Sequence, residues 1–384
     1  MGDMPSAPPL GPIPANGGDS PVTPPTLTAC PLETLYNISS YLTASEMSGA
    51  AQASSRLWDA FSRSIFRSVK FQGTQSALVL KLHEFLSIGS QDRRDVINES
   101  IRSATITILA LDPTDDEYSQ THYMLPNLII RSISRMSRVS TIFLDTLDFS
   151  RNQERSFRRQ LSNMSAWTSI QNLRMRVRSG SVERLIANCA SEKLKAVHIE
   201  EKLSYNQYQE IGRHCQPLKR LSIWVHNYGF EYNYHSLSLR QLEWLIIAPK
   251  PEQGMGTPLI FVTMVRSIVE KETQKLAGNL GKYPHLRRVG FWFSSFTSGW
   301  PHFVNQNIPG VNLLTLDKKD RVFGVIRDLS SGLPNLQELC FVETLAGNQS
   351  PVIYRGTRAA EGEDMTVDLK QDCHRDAFPL GLLY

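Results

Sequence analysis

Aliphatic residues recur as a triplet through the middle of the chain. The copies are Ile170–Leu173–Met175, Leu194–Val197–Ile199, Leu218–Leu221–Ile223 and Leu242–Leu245–Ile247. Each has the spacing LxxLxL, and each begins 24 residues after the last. Weaker copies flank them at Val139–Ile142–Leu144, Leu286–Val289–Phe291 and Leu336–Leu339–Phe341. The apolar–x–apolar end of each triplet has the period of a strand. Between triplets, Val182, Leu185, Ile186 and Cys189 have helical spacing, as do Tyr208, Ile211 and Cys215. A longer interval holds Phe261, Val265, Ile268, Val269 and Leu276, which predicts a helix over 258–280. Upstream, Thr105–Leu109 and Val139–Phe149 read as strands, and Leu78, Leu82, Phe85 and Leu86 predict a helix over 75–88. Residues 30–71 carry three short helix patterns. The first is opened by Pro31, whose missing N–H is harmless there. The second is capped by Thr43 or Ser45. The third sets Leu57, Trp58, Phe61, Ile65 and Phe66 on one face. Val69–Phe71 begins an extended segment.

A strand and a helix repeating at 24 residues is the pattern of a leucine-rich-repeat solenoid. The predicted fold class is therefore α/β, a helical N-terminal unit followed by an irregular solenoid of parallel strands with helices. An ordinary α/β domain with parallel strands gives similar alternation; the constant step favours the solenoid. The Asn or Cys that usually closes the repeat turn is missing from most copies. Residues alternating with the triplet face the concave side of such a repeat. They include Arg174, Arg176, His198, Glu200, Ser222, Trp224, Ile246, Ala248, Gly290 and Trp292. We take Arg174, Arg176, His198, Glu200, Trp224 and Trp292 as the candidate substrate-binding set. The two tryptophans are candidate anchors, or else pack under inserted loops.

Composition allows a sizeable core and little specialised chemistry. The 384 residues are 41% hydrophobic and 20% charged, with a net charge of +4, too mild to predict nucleic-acid binding. The five cysteines are scattered and form no CxxC pair, which fits a reducing compartment, cytoplasm or nucleus. The start MGDMPSAPPL is not a secretory signal, and the longest apolar run, near Pro258–Val265, is too short for a membrane span. Eight prolines within residues 1–25 predict a disordered leader.

No catalytic signature emerges. GxSxG, HExxH and GxGxxG are missing, and Gly278–Lys282 lacks the spacing of a phosphate loop. His214–Cys215 and Cys373–His374 have no partners at metal-ligand spacing. Asp112, Asp115, Asp116 and Glu117 read as a solvated loop, and Arg151, Arg155, Arg158 and Arg159 as a charged loop between repeats. The chain reads as a non-catalytic binding protein without cofactor or metal.

Cys30–Pro31–Leu32–Glu33, with Leu35, Ile38 and Leu42, then Ser54–Ser55–Arg56–Leu57–Trp58 and Ile65–Phe66–Arg67–Ser68–Val69, resembles an F-box. The resemblance spans about forty residues; it departs from the family at Cys30 and at Gly49–Ala50–Ala51. It implies docking onto a Skp-type adaptor and, through it, a cullin and a RING subunit. By position, the adaptor-binding residues are Pro31, Leu32, Leu35, Ile38, Leu42 and Trp58. The implied function is the substrate-recognition subunit of an SCF-type ubiquitin ligase. It would hold an unknown protein substrate on the repeats, with no role for nucleic acid or membrane. The alternatives are a leucine-rich-repeat scaffold outside ubiquitination, and an enzyme with an unrecognised site. The expected organisation is a leader at 1–28, an F-box at 29–72, a solenoid at 73–344 and a tail or cap at 345–384.

Overall fold

The computed structural model describes residues 26–109, 120–225, 239–249, 266–294, 318–344, 351–360, 362–370 and 378–381. The chain divides into two units, Met1–Ile65 and Phe66–Tyr384. The boundary falls earlier than the sequence-based one at 72, because the extended segment around Val69 belongs to the second unit.

In the first unit, a single turn at Leu27–Ala29 leads into α1 (Leu32–Ser39), α2 (Ala44–Ala53) and α3 (Ser55–Ile65). Pro31 precedes α1 and contributes its carbonyl, which accepts from Leu35 N–H at 3.1 Å. Thr43 caps α2 through a capping box, its Oγ1 accepting from Glu46 N–H while the Glu46 carboxylate accepts from Thr43 N–H at 2.8 Å. Such a box satisfies donors that a helix start leaves unpaired. The core is Leu35, Met47, Ala51, Leu57, Ala60 and Phe61, with Trp58 and Ile65 at its edge.

The second unit is built on one 11-stranded sheet whose strands follow chain order. They are β1 (Ser68–Gly73), β2 (Ser103–Ile108), β3 (Thr141–Asp145), β4 (Asn172–Arg176), β5 (Ala196–Lys202), β6 (Arg220–Val225), β7 (Trp244–Pro249), β8 (Arg288–Ser294), β9 (Glu338–Thr344), β10 (Val352–Thr357) and β11 (Thr366–Lys370). The first nine run parallel; β10 and β11 add as antiparallel strands. Helices link the parallel strands: α4 (Gln75–Leu86), α5 (Gln91–Ser100), α6 (Gln120–Arg135), α7 (Arg151–Ser162), α8 (Ser179–Ala187), α9 (Tyr205–His214), α10 (Arg266–Leu280) and α11 (Lys318–Ser331). Neighbouring helices pack in order, α4 on α6, α6 on α7, α7 on α8, α8 on α9 and α10 on α11. A mixed α/β fold with a long, mostly parallel sheet and strictly sequential strand order is the arrangement expected of a solenoid.

Register turns the triplets into continuous ladders. Ile142, Leu173, Val197, Leu221, Leu245, Val289 and Leu339 pair in line, and so do Leu144, Met175, Ile199, Ile223, Ile247, Phe291 and Phe341. Every one of these side chains is buried. Two further copies continue the ladders at Phe66–Val69–Phe71 and Ile101–Ala104–Ile106.

The missing turn Asn is replaced by main chain. One carbonyl before each strand accepts two N–H groups from the next repeat. Gln171 O takes Lys195 and Ala196 (2.7 and 3.0 Å), and Lys195 O takes Lys219 and Arg220 (2.9 and 3.0 Å). Lys219 O, Glu243 O and Arg287 O continue the series. The turn polar groups are thereby satisfied without a side chain.

Some elements differ from the sequence reading. Arg151, Arg155, Arg158 and Arg159 lie on α7, not on a loop: Ser150 and Gln153 form a capping box, and Phe157 and Leu161 anchor the helix. The helix expected over 258–280 is described from Arg266; residues 258–265 fall outside the described set, as do 1–25 and the acidic cluster at 112–117. Part of the expected tail is sheet, in β10 and β11.

Candidate functional site

The first unit offers an apolar helix surface. On α1, Leu32 is 39% exposed and Tyr36, one turn on, is 41% exposed. Residues four apart share a helix face. Pro31 is exposed beside them, and Tyr41 is 88% exposed in the following turn. Leu35 differs from the sequence expectation of a docking residue. It is fully buried in the unit's own core, so it supports the surface from within. Ile38, Leu42 and Trp58 are half-buried against the same core. Tyr36 and Tyr41 lie outside the aliphatic spacing that marks this segment in the sequence.

In the second unit, residues alternating with the ladders line up on the face away from them. Arg174, His198, Ser222, Ile246, Gly290 and Cys340 form one row across β4 to β9. A Cβ built on Gly356, in the ladder, meets Ile326 of α11, whereas one built on Gly290 meets Pro379. The two faces therefore contact different parts of the chain: helices on one, the C-terminal segment on the other.

Half of this open face is polar and electrostatically closed. Arg174 Nε and Nη2 each lie 2.6 Å from Glu200 Oε1, and His198 Nε2 lies 3.3 Å from the same oxygen. The Arg174 guanidinium also sits 4.7 Å above the Phe143 ring. Burial, with the charge of Arg174 second, pushes the His198 imidazole down to about 3, so it is neutral at physiological pH. Arg176 Nη1 lies 3.6 Å from Asp145 Oδ2. Burial raises the Asp145 carboxyl above its ordinary value, against the Leu147 N–H and Arg176. The basic stripe is thus largely neutralised within the protein. A pocket of about 180 Å³ opens here among Thr105, Phe143, Asn172, Arg174 and His198, with Gly381 on its rim. Enclosed small-molecule sites run to about 300–1,000 Å³. This one suits a side chain or a short peptide turn.

The other half is apolar and covered. Phe378 enters a cluster of Trp244, Ile246, Cys340, Val342 and Ile353, with Trp292 and Leu380 packed against it. Trp292 Nε1–H donates to Pro379 O at 3.0 Å. Phe378 meets Trp244 edge-on at 5.9 Å, and Arg288 lies 4.6 Å above the Trp244 ring. Of the predicted set, Arg174, His198 and Glu200 come together, Arg176 lies beside them, and Trp292 is engaged by the C-terminal segment. Trp224 is half-buried and faces Lys202 across a register shift in β5, which separates it from Glu200. Phe143, Trp244 and Phe378 were missed; Trp244 is offset by two residues from the position that was read.

Cys189 and Cys215 are buried free thiols, and burial pushes the Cys215 thiol up to about 12. Gly278 lies within α10, and Lys282 bonds Asn279 at its end (3.3 Å). Cys373–His374 lies outside the described residues. Among the described residues, no cluster of His, Cys, Asp and Glu has the placement of a metal site, and no helix is long and apolar enough to cross a membrane. No family model matches the chain, and a search of curated proteins found no match.

Proposed function

We propose that the protein is the substrate-recognition subunit of an SCF-type ubiquitin ligase. Its helical unit would dock onto a Skp-type adaptor, and its sheet would carry the substrate. The observation that supports this most is α1, which buries Leu35 in the unit's core while presenting Leu32 and Tyr36 outward beside Pro31. A few apolar and aromatic anchors of this kind dominate binding interfaces. Of the F-box-like residues, Leu32, Glu33, Leu35 and Ile38 lie on α1 and Ser55–Trp58 and Ile65 on α3, whereas Phe66–Val69 belong to the second unit. In this reading the chain is a tether: holding substrate near a ubiquitin-charged enzyme raises effective concentration, and the rate gain needs no catalytic residue of its own.

Burial of Leu35 favours a second reading for that residue, in which the helices are a structural unit on a binding scaffold outside ubiquitination. Co-purification separates the two. Wild type is expected to retain a Skp-type adaptor, and Leu32→Asp/Tyr36→Asp to lose it while keeping its circular dichroism spectrum. Failure of wild type to bind the adaptor would select the scaffold.

A further inference from the structure

The C-terminal segment sits on the open face in the way a bound peptide would. We infer that this face is a binding site for a peptide turn carrying an aromatic residue followed by proline and an aliphatic residue. The chain's own Phe378–Pro379–Leu380 fills the site in cis.

Three features show a site shaped for such a ligand. The aromatic lies in a pocket of sheet side chains, Trp244, Ile246, Cys340, Val342 and Ile353, and is only 6% exposed. The proline lies over Gly290, where a Cβ would come within 3.1 Å of Pro379 Cβ. Glycine thus clears the floor at the position of closest approach. The single described hydrogen bond to the segment runs from Trp292 Nε1–H to the Pro379 main-chain carbonyl, an acceptor that any peptide supplies. A half-buried indole N–H needs such a partner. Recognition therefore reads ring, backbone and shape. Gly381 then lines the pocket beside Phe143 and Arg174, so a longer ligand meets a second subsite.

A tethered segment competes at an effective concentration in the millimolar range. For a peptide of about 0.1 mM intrinsic affinity, that masks the site by roughly 10- to 100-fold. A partner presenting the same chemistry must displace the segment, which makes it a built-in threshold on binding. The inference deepens the reading of this face as the substrate surface. It is tested without any adaptor, so loss of the ligase reading leaves it standing.

The probe is a fluorescein-labelled peptide, Ala-Phe-Pro-Leu-Gly-Leu-Leu-Tyr, followed by fluorescence anisotropy against the full-length chain. Phe378→Gln, which releases the segment, is expected to bind at least 10-fold tighter than wild type. Adding Gly290→Val is expected to abolish the gain, as is Phe→Gln in the peptide. A folded Phe378→Gln chain that binds no better than wild type would overturn the inference. If Phe378→Gln fails to fold, exchange of the Trp292 indole N–H in wild type decides. Exchange much faster than the β6 and β7 amides supports a displaceable segment; exchange at their rate makes it permanent core.

Discussion

Replacing Leu221 with alanine probes the ladder that organises the sheet. Leu221 is fully buried between Val197 and Leu245. At about 0.8 kcal/mol per buried CH2, the three lost carbons remove about 2.4 kcal/mol. Incomplete collapse of the cavity raises the total to about 3–4 kcal/mol. Because each repeat touches mainly its neighbours, the damage should stay near β5, β6 and β7. Chemical denaturation gives the total, and hydrogen exchange gives its distribution. The exposed Arg213, paired with Glu210 on the surface of α9, serves as control. Arg213→Ala should change stability by less than about 0.5 kcal/mol. A loss below about 1 kcal/mol for Leu221→Ala, or exchange rising equally in β1 and β2, would refute the ladder as the structural core.

Four further outcomes are expected. Ser150→Ala removes the acceptor for Gln153 N–H at the start of α7 and should cost about 0.5–2 kcal/mol by urea denaturation. Gln153→Ala also removes the donor to Gln75 Oε1, a 2.7 Å bond from Gln153 Nε2 in the interior, and should cost more than the cap alone. His198 binds its proton only near pH 3 when folded and near 6.5 when unfolded, so the unfolded state holds more protons between those values; stability is full above about pH 6.5 and declines as pH falls toward 3. The NMR resonances of His198 should show no titration near pH 6.5, and a midpoint there would disprove its burial as a neutral ring. In the helical unit, Leu35→Asp should abolish cooperative folding, whereas Leu32→Asp should change stability by less than about 0.5 kcal/mol, both read by thermal unfolding.

What the sequence revealed follows from where periodicity is strong. The four triplets at 24-residue steps are buried on both sides by neighbours like themselves, so each position demands an aliphatic residue and the pattern is visible. Phe66–Val69–Phe71 and Ile101–Ala104–Ile106 occupy the same ladders but were obscured. An alanine fills one position, and two helices separate the copies. Helix α7 was hidden because two apolar anchors, Phe157 and Leu161, suffice to seat a helix otherwise rich in arginine. Helix α6 contains Pro126, a residue that normally signals a break. On the candidate site, residue alternation correctly placed Arg174, His198 and Gly290 on one row. It gave no warning that Arg174 would be neutralised by Glu200, or that Phe378 would return to this face. Those are long-range contacts, and no local spacing encodes them. The F-box resemblance places Leu35 among the docking residues by position, without saying which part of the apolar stripe the unit's own core consumes.

Calorimetric titration of the purified full-length chain with a purified Skp-type adaptor tests the central claim most directly. The account predicts saturable one-to-one binding with a negative heat-capacity change, as apolar surface is buried. It also predicts at least a 100-fold loss of affinity in a folded Leu32→Asp/Tyr36→Asp chain. No binding by wild type, or equal binding by the double variant, would contradict it.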